Sequence, residues 1–425
     1  MYGDKTVLPN GVRVLSFTMP HVRSASIILS YRVGSRFETD EHAGISHFIE
    51  HMLFKGTARR PSPERISEEI EGVGGILNAY TSREQTGYWA KVPSTHFALA
   101  FDVLADMLRN SLFEPAELEK ERGVIIEEIR ASEDDPTDVV GELLNRIVWE
   151  EQAVGRPVAG SEESVGRIDR AAMLDYLAAH YNPANLVISV AGNVDHADVV
   201  RRAAEDFGDL PPADMREPDP ARLRQTAPRA GLVSRPDKQA NVMLGLPGLS
   251  YHDERRYTQR TLDVILGSGM SSRLFVEIRE RRGLAYSVGS YFSQLADVGA
   301  GAVYAGVDPG KVDETVAAVA EELRKLRDVA VPAEELARAK EFRKGRLLLS
   351  LEDSHSVANW LGSNEMLYGE VPTPEEVIAR IDAVVAADVQ TLARELFTPE
   401  RYSLAVVGPY EDEEHFKRLL GQVAA

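Results

Sequence analysis

Short apolar runs bounded by Gly, Pro and Asn alternate along the chain with longer segments whose apolar positions recur every three to four residues. The opening MYGDKTVLPNGVRVL reads as strand, Pro9-Asn10-Gly11 turn, strand. Ser24–Gly34 (SASIILSYRVG) and Ala240–Gly248 (ANVMLGLPG) are strand-like, and each is followed by a turn containing Asp or Glu and then by a helix. Ile45, Phe48, Ile49, Met52 and Leu53 have helical spacing, with Gly56 as a stop. Gly74–Val92 (GGILNAYTSREQTGYWAKV) reads as a β-hairpin. Pro115 opens a charged helix running to about Ser132, whose apolar set Leu118, Val124, Ile125 and Ile129 predicts one buried stripe. Pro332–Leu349 reads as a similar charged helix.

The pattern occurs twice. YNPANLVISVAGNVD (Tyr181–Asp195) and FTPERYSLAVVGPYED (Phe397–Asp412) share a helix-stopping Pro, a Val/Ile/Leu strand, a Gly and a turn into a helix. Between the halves, Pro211, Pro212, Pro218, Pro220 and Pro228 stand among charged residues without apolar periodicity. The expected organisation is therefore two homologous α+β domains, each an antiparallel-rich sheet packed with helices, related by internal duplication. Their expected bounds are 1–209 and 230–425, with a Pro-rich linker at 210–229.

With 425 residues the chain is longer than the roughly 250–300 that one core supports, which agrees with two domains. Lys+Arg 48 against Asp+Glu 67 gives a net charge of −19, which argues against nucleic acid and against an anionic membrane face as partners. No run approaches 18 consecutive apolar residues, and no basic start precedes an apolar segment, so a cytoplasmic location is expected. The absence of cysteine excludes disulfides, thiolate catalysis and Cys-ligated metal sites. Gly267–Ser272 (GSGMSS) lacks the Lys of a phosphate-binding loop.

The candidate chemistry lies in the first half. In HAGISHFIEHMLFKGT, His47 and His51 are four apart, so on a helix their imidazoles share one face, a spacing that suits two nitrogen ligands on one Zn²⁺. Glu50 is placed to take a proton from water. This is the H-x-x-E-H order of the inverzincins. Two hydrogen-bonded structural histidines would share that pattern, and a third ligand separates the readings. In EPAELEKERGVIIEEIRASEDDP, Glu121 and Glu128 are seven apart on one helix face beside Val124 and Ile125. A carboxylate buried there needs pairing or coordination, so Glu128 reads as third ligand and Glu121 as an acceptor orienting a histidine. Glu119 and Glu127 read as solvated helix charges.

HFIEH followed by the E-R-x-V-I-x-x-E segment that ends in Glu128 resembles the pitrilysin/insulinase family of zinc peptidases. The likeness is strongest to its short branch of bacterial and mitochondrial processing peptidases, and it runs the whole length of the chain. The resemblance implies His47, His51 and Glu128 as ligands of one Zn²⁺ per chain, Glu50 as general base and Glu121 as the supporting glutamate. It also implies that the edge strand containing Asn78 and Ala79 takes up extended substrate, and that Arg279 and Tyr286 from the second half hold the substrate backbone and the oxyanion. The expected activity is endopeptidase cleavage of extended or unstructured, presequence-like peptides. The expected assembly is a homodimer, because both the zinc motif and the Arg/Tyr pair lie on this one chain. The alternatives are a non-catalytic core subunit and one partner of an obligate heterodimer. The second half carries no histidine pair at Thr258–Gly269 (TQRTLDVILGSG) and RKGRLLL (Arg343–Leu349) near the place of Glu128, so it is expected to be metal-free. The charge of −19 fits either an acidic chamber favouring Lys/Arg peptides or a solubilising outer surface.

Overall fold

A computed structural model describes residues 2–424, which form two compact units, each with its own sheet. The first unit takes the chain up to Arg130, Arg156–Asp219 and Leu347–Pro374. Its six strands are β1 (Asp4–Val7), β2 (Arg13–Thr18), β3 (Ser24–Tyr31), β4 (Ile76–Thr81), β5 (Thr86–Pro93) and β6 (Leu186–Gly192), in the order β1-β2-β6-β3-β5-β4. Only β2 and β6 run parallel; the other pairs are antiparallel. The Pro9-Asn10-Gly11 turn closes with Leu8 N–H on Val12 O at 2.9 Å.

β3 is buried on both faces, and the packing explains its unbroken apolar run. Ile27 and Leu29 join a core with Ile45, Phe48, Ile49 and Met52, while Ile28 packs on the other side with Val357 and Ala358 of the helix Ser354–Tyr368. A strand covered by helices on both faces has no polar face to show. Leu361 of the same helix packs with Leu15 and Val187.

The second unit takes Ala131–Gly155, Pro220–Arg346 and the chain from Glu375. Its strands are β7 (Arg229–Ser234), β8 (Ala240–Gly248), β9 (Ala285–Gln294), β10 (Gly299–Val307) and β11 (Ser403–Gly408), in the order β7-β11-β8-β10-β9. β7 and β11 are parallel and the rest antiparallel. Setting β1 aside, each strand of the first sheet has a counterpart of the same direction in the second: β2 with β7, β6 with β11, β3 with β8, β5 with β10 and β4 with β9. The two units share one α+β plan.

The units do not coincide with the sequence halves cut at 210–229. The helix Pro136–Trp149 counts with the second unit because Val140, Leu144 and Val148 pack against Met243, Ala405 and Val407. The helix Ser354–Tyr368 counts with the first unit for the packing given above. Each sheet thus covers one face with a helix encoded in the other half, which periodicity along the chain does not reveal. The Pro-rich segment runs without helix or strand from Pro211 to β7. It is tied down within the first unit by Arg32 on Glu217 and by Arg36 Nη2 on Asp219 O at 2.9 Å. Among the described residues no helix is long and apolar enough to cross a membrane.

Candidate metal centre

The site is built on helix α1 (Ile45–Met52), whose Ile45, Phe48, Ile49 and Met52 are buried against the first sheet. This amphipathic anchoring leaves His47 and His51 on the opposite side. Gly44 precedes the helix with φ +95°, and a Cβ there would meet Ala159 O at 2.5 Å, so a glycine is required. Gly44 offers no capping side chain. Glu38 takes that role from six residues upstream, Oε2 accepting from Gly44 N at 2.7 Å and Oε1 from Ser46 N at 2.9 Å.

His47 Nε2 and His51 Nε2 lie 3.2 Å apart, and Glu128 Oε2 lies 3.9 Å from the first and 3.5 Å from the second. Together they are the one group of described residues able to hold a metal ion. Ligands about 2.0–2.1 Å from a tetrahedral Zn²⁺ stand about 3.4 Å from each other, so the triangle fits. The donor chemistry also fits. Burial, and then the neighbouring His51, push His47 down to about 4, which keeps its imidazole neutral, the form that can ligate a metal. His51 Nδ1 faces Glu121 Oε1 at 2.8 Å, which places its proton on Nδ1 and a lone pair on Nε2. Electron-rich atoms converge on one point, an arrangement that a cation stabilises. Burial lowers the His51 pKa, but the Glu121 hydrogen bond and the charge of Glu128 outweigh it, and the net shift is upward.

The helix Pro115–Asp134 supplies the two glutamates. Its buried stripe is Leu118, Glu121, Ile125 and Ile129, and Val124 is 43% exposed, contrary to the stripe expected from the sequence. Glu121 is buried in that stripe, as a carboxylate with partners can be. Burial raises its pKa, but hydrogen bonds from His51 and Lys55 more than offset this and hold it below the usual carboxylate range. Glu128 was expected to be buried, yet its side chain is half exposed, at the rim of the stripe. Glu119 and Glu127 pair with Arg122 and Arg130 at the surface.

Glu50 is half-buried, and burial raises its pKa while a 2.5 Å hydrogen bond from Thr81 Oγ1 to Oε2 works against that rise. Asn78 and Ala79 lie on β4, the outer strand of the first sheet. Asn78 Oδ1 accepts from Ala79 N at 2.8 Å. Arg279 and Tyr286 belong to the second unit, where they meet. Arg279 Nη1 donates to Tyr286 O at 2.7 Å, and its guanidinium lies 4.7 Å from the Tyr286 ring centre and 4.9 Å from that of Phe275. Arg279 sits on a π-helical turn, Phe275–Arg281, and Tyr286 near the start of β9 is 76% exposed. Sequence reasoning passed over Glu38, Lys55 and Thr81. A lone Glu, Lys or Thr carries no motif, and their roles come from contacts six to sixty-six residues away.

Two family models match the chain: Insulinase (Peptidase family M16) at residues 13–162, and the Peptidase M16 inactive domain at residues 167–342. The chain belongs to peptidase family M16. The M16 assignment is supported along nearly the whole chain. An uncharacterized zinc protease of Streptomyces coelicolor is 41% identical over 96% of this chain and 90% of its own length. The uncharacterized zinc protease YmxG of Bacillus subtilis is 39% identical over 94% of this chain and 97% of its own. Among solved structures, a protease from Helicobacter pylori superposes with a TM-score of 0.90 at 21% identity, covering 96% of this chain and 99% of that one. At that identity the likeness speaks for the fold. The M16 model described as inactive matches 167–342, and the group able to hold a metal lies in the range of the other.

Proposed function

We propose that this M16 protein is a zinc-dependent endopeptidase that cuts extended, unstructured peptides. The observation that carries the reading is the convergence of His47 Nε2, His51 Nε2 and Glu128 Oε2 next to a hydrogen-bonded Glu50. His47, His51 and Glu128 would hold one Zn²⁺ per chain, which when bound supplies Lewis acidity and brings the pKa of water towards neutrality. Glu50, with Oε2 tied to Thr81, uses Oε1 to take a proton from the attacking water and returns it to the leaving amine. Glu121 keeps the His51 ring in one tautomer and one orientation. The outer strand β4 offers an edge to which a peptide adds as a further strand, beside Asn78 and Ala79. Tyr286, with an exposed phenol, donates to the developing oxyanion, and Arg279 holds the peptide backbone. Because motif and Arg/Tyr pair share one chain, the working assembly in this proposal is a homodimer, and light scattering of the active fraction tests it. A cytoplasmic location is part of the same proposal, and cell fractionation tests it.

The deciding experiment is mass spectrometry of a mixed set of unstructured peptides incubated with the purified protein, Glu50→Gln and a chelated sample. Internal cleavage lost in both controls establishes the activity. Zinc-loaded protein that cuts nothing overturns the reading.

A further inference from the structure

The base and the edge of the first sheet meet at one side chain. Thr81 ends β4 and pairs with Thr86 across the hairpin, while Ser82 N–H bonds Gln85 O at 2.8 Å. In an antiparallel ladder hydrogen-bonded pairs alternate with non-bonded ones. Counting from Ser82/Gln85, the pairs Tyr80/Gly87 and Asn78/Trp89 exchange backbone bonds. The backbone groups of Leu77, Ala79 and Thr81 then point off the sheet. Ala79 agrees: its N–H is taken by Asn78 Oδ1, not by β5. The side chains of these three residues share one face, on which Leu77 and Ala79 pack against the core that includes α1. Thr81 is therefore the residue whose backbone belongs to the open edge while its hydroxyl holds Glu50 Oε2 at 2.5 Å.

We propose that Thr81 is a positioning residue that aims the Glu50 carboxylate and links its aim to an extended peptide seated on the β4 edge. The inference rests on the peptidase reading above. A β-branched residue has a stiff χ1, so the strand backbone fixes where its hydroxyl stands. With Oε2 held, the carboxylate cannot turn about its last torsion, and Oε1 keeps one direction. A peptide pairing with the Thr81 backbone steadies the strand end, and so steadies the hydroxyl and the base together. Valine keeps the shape of the side chain and removes the donor; serine keeps the donor.

The test compares zinc-loaded wild type, Thr81→Val and Thr81→Ser. It reads kcat and KM on a cleaved peptide, anisotropy of a labelled non-cleavable extended peptide, zinc content and melting temperature. A positioning role predicts that Thr81→Val loses about 10–100-fold in kcat. Its KM, peptide affinity, zinc content and melting temperature should stay within about twofold or a few degrees of wild type, and Thr81→Ser should recover most of the rate. Wild-type kcat in Thr81→Val overturns the proposal. So does a rate loss matched by lost zinc or lost stability, or a Thr81→Ser as slow as the valine variant. A wild type that cuts nothing overturns the peptidase reading and this proposal with it, whereas an active wild type matched by Thr81→Val overturns this proposal alone.

Discussion

Lys55 Nζ stands 2.5 Å from Glu121 Oε2, while the other oxygen of the same carboxylate meets His51 Nδ1 at 2.8 Å. Glu121 is 3% exposed, and a buried carboxylate without a cation takes up a proton or distorts its surroundings. The ammonium keeps Glu121 an anion, and the anion keeps the His51 proton on Nδ1. Lys55→Met is expected to weaken zinc affinity by about tenfold and Glu121→Gln by about 10–100-fold, the range typical of groups that orient metal ligands. Competition against a chromophoric chelator measures both. Affinities equal to wild type would show that α1 alone holds His51.

Glu128 separates binding from folding because its side chain is half exposed. Glu128→Gln should fold with the melting temperature of metal-free wild type, since no core packing is lost. A ligand that binds only the folded state stabilises it according to its concentration over Kd. Chelation should therefore lower the wild-type melting temperature and leave that of Glu128→Gln unchanged. Differential scanning with and without chelator, beside zinc content of about one per wild-type chain, checks this. Equal drops in both proteins would remove Glu128 from the ligand set.

Tyr286 and Arg279 give a split kinetic signature if they act as proposed. Removing one oxyanion donor lowers kcat by about 10²–10³, so Tyr286→Phe should do this with little change in KM. Arg279 lies over two rings and donates to Tyr286 O. Lysine cannot reproduce that planar stacking, and Arg279→Lys should raise KM. Steady-state kinetics on one cleaved peptide distinguishes the two effects, and a Tyr286→Phe enzyme with wild-type kcat would leave the oxyanion without this donor.

The sequence made the fold and the candidate metal group legible where a period or a spacing encoded them. The duplicated strand–turn–helix segments around Pro183 and Pro399 pointed to two α+β units, and the four-residue spacing of His47 and His51 pointed to a shared face. Long-range packing was not legible. The helix Pro136–Trp149 carries the same apolar periodicity whichever sheet it covers, so its membership of the second unit had no local signal. Which residues complete the buried stripe of Pro115–Asp134 was only partly legible for a related reason, since Val124 lies outside it and Glu121 inside. Helical geometry says which residues share a stripe, but the ion pair with Lys55 and the bond to His51 decide that a glutamate can lie in it.

Glu38 makes stability depend on pH in a direction opposite to that of most carboxylates. Burial pushes its pKa up to about 7, against the pull of the Gly44 and Ser46 N–H groups, the Ser46 hydroxyl and Arg156, from an ordinary value of 4.5. Between those two values the folded protein keeps a proton that the unfolded chain has released, so the folded state binds more protons and stability falls as pH rises. The contribution is fully present below about 4.5 and is lost as pH passes 7, a swing of about 3 kcal/mol. Glutamine cannot ionise, so Glu38→Gln should lack this dependence. Other groups titrate in both proteins, and the difference in melting temperature between wild type and Glu38→Gln isolates this one. Wild type should gain on the variant as pH is lowered from 8 to 5. A difference that stays constant, or that moves in favour of the variant at low pH, would mean that the two backbone donors at the start of α1 hold Glu38 ionised throughout.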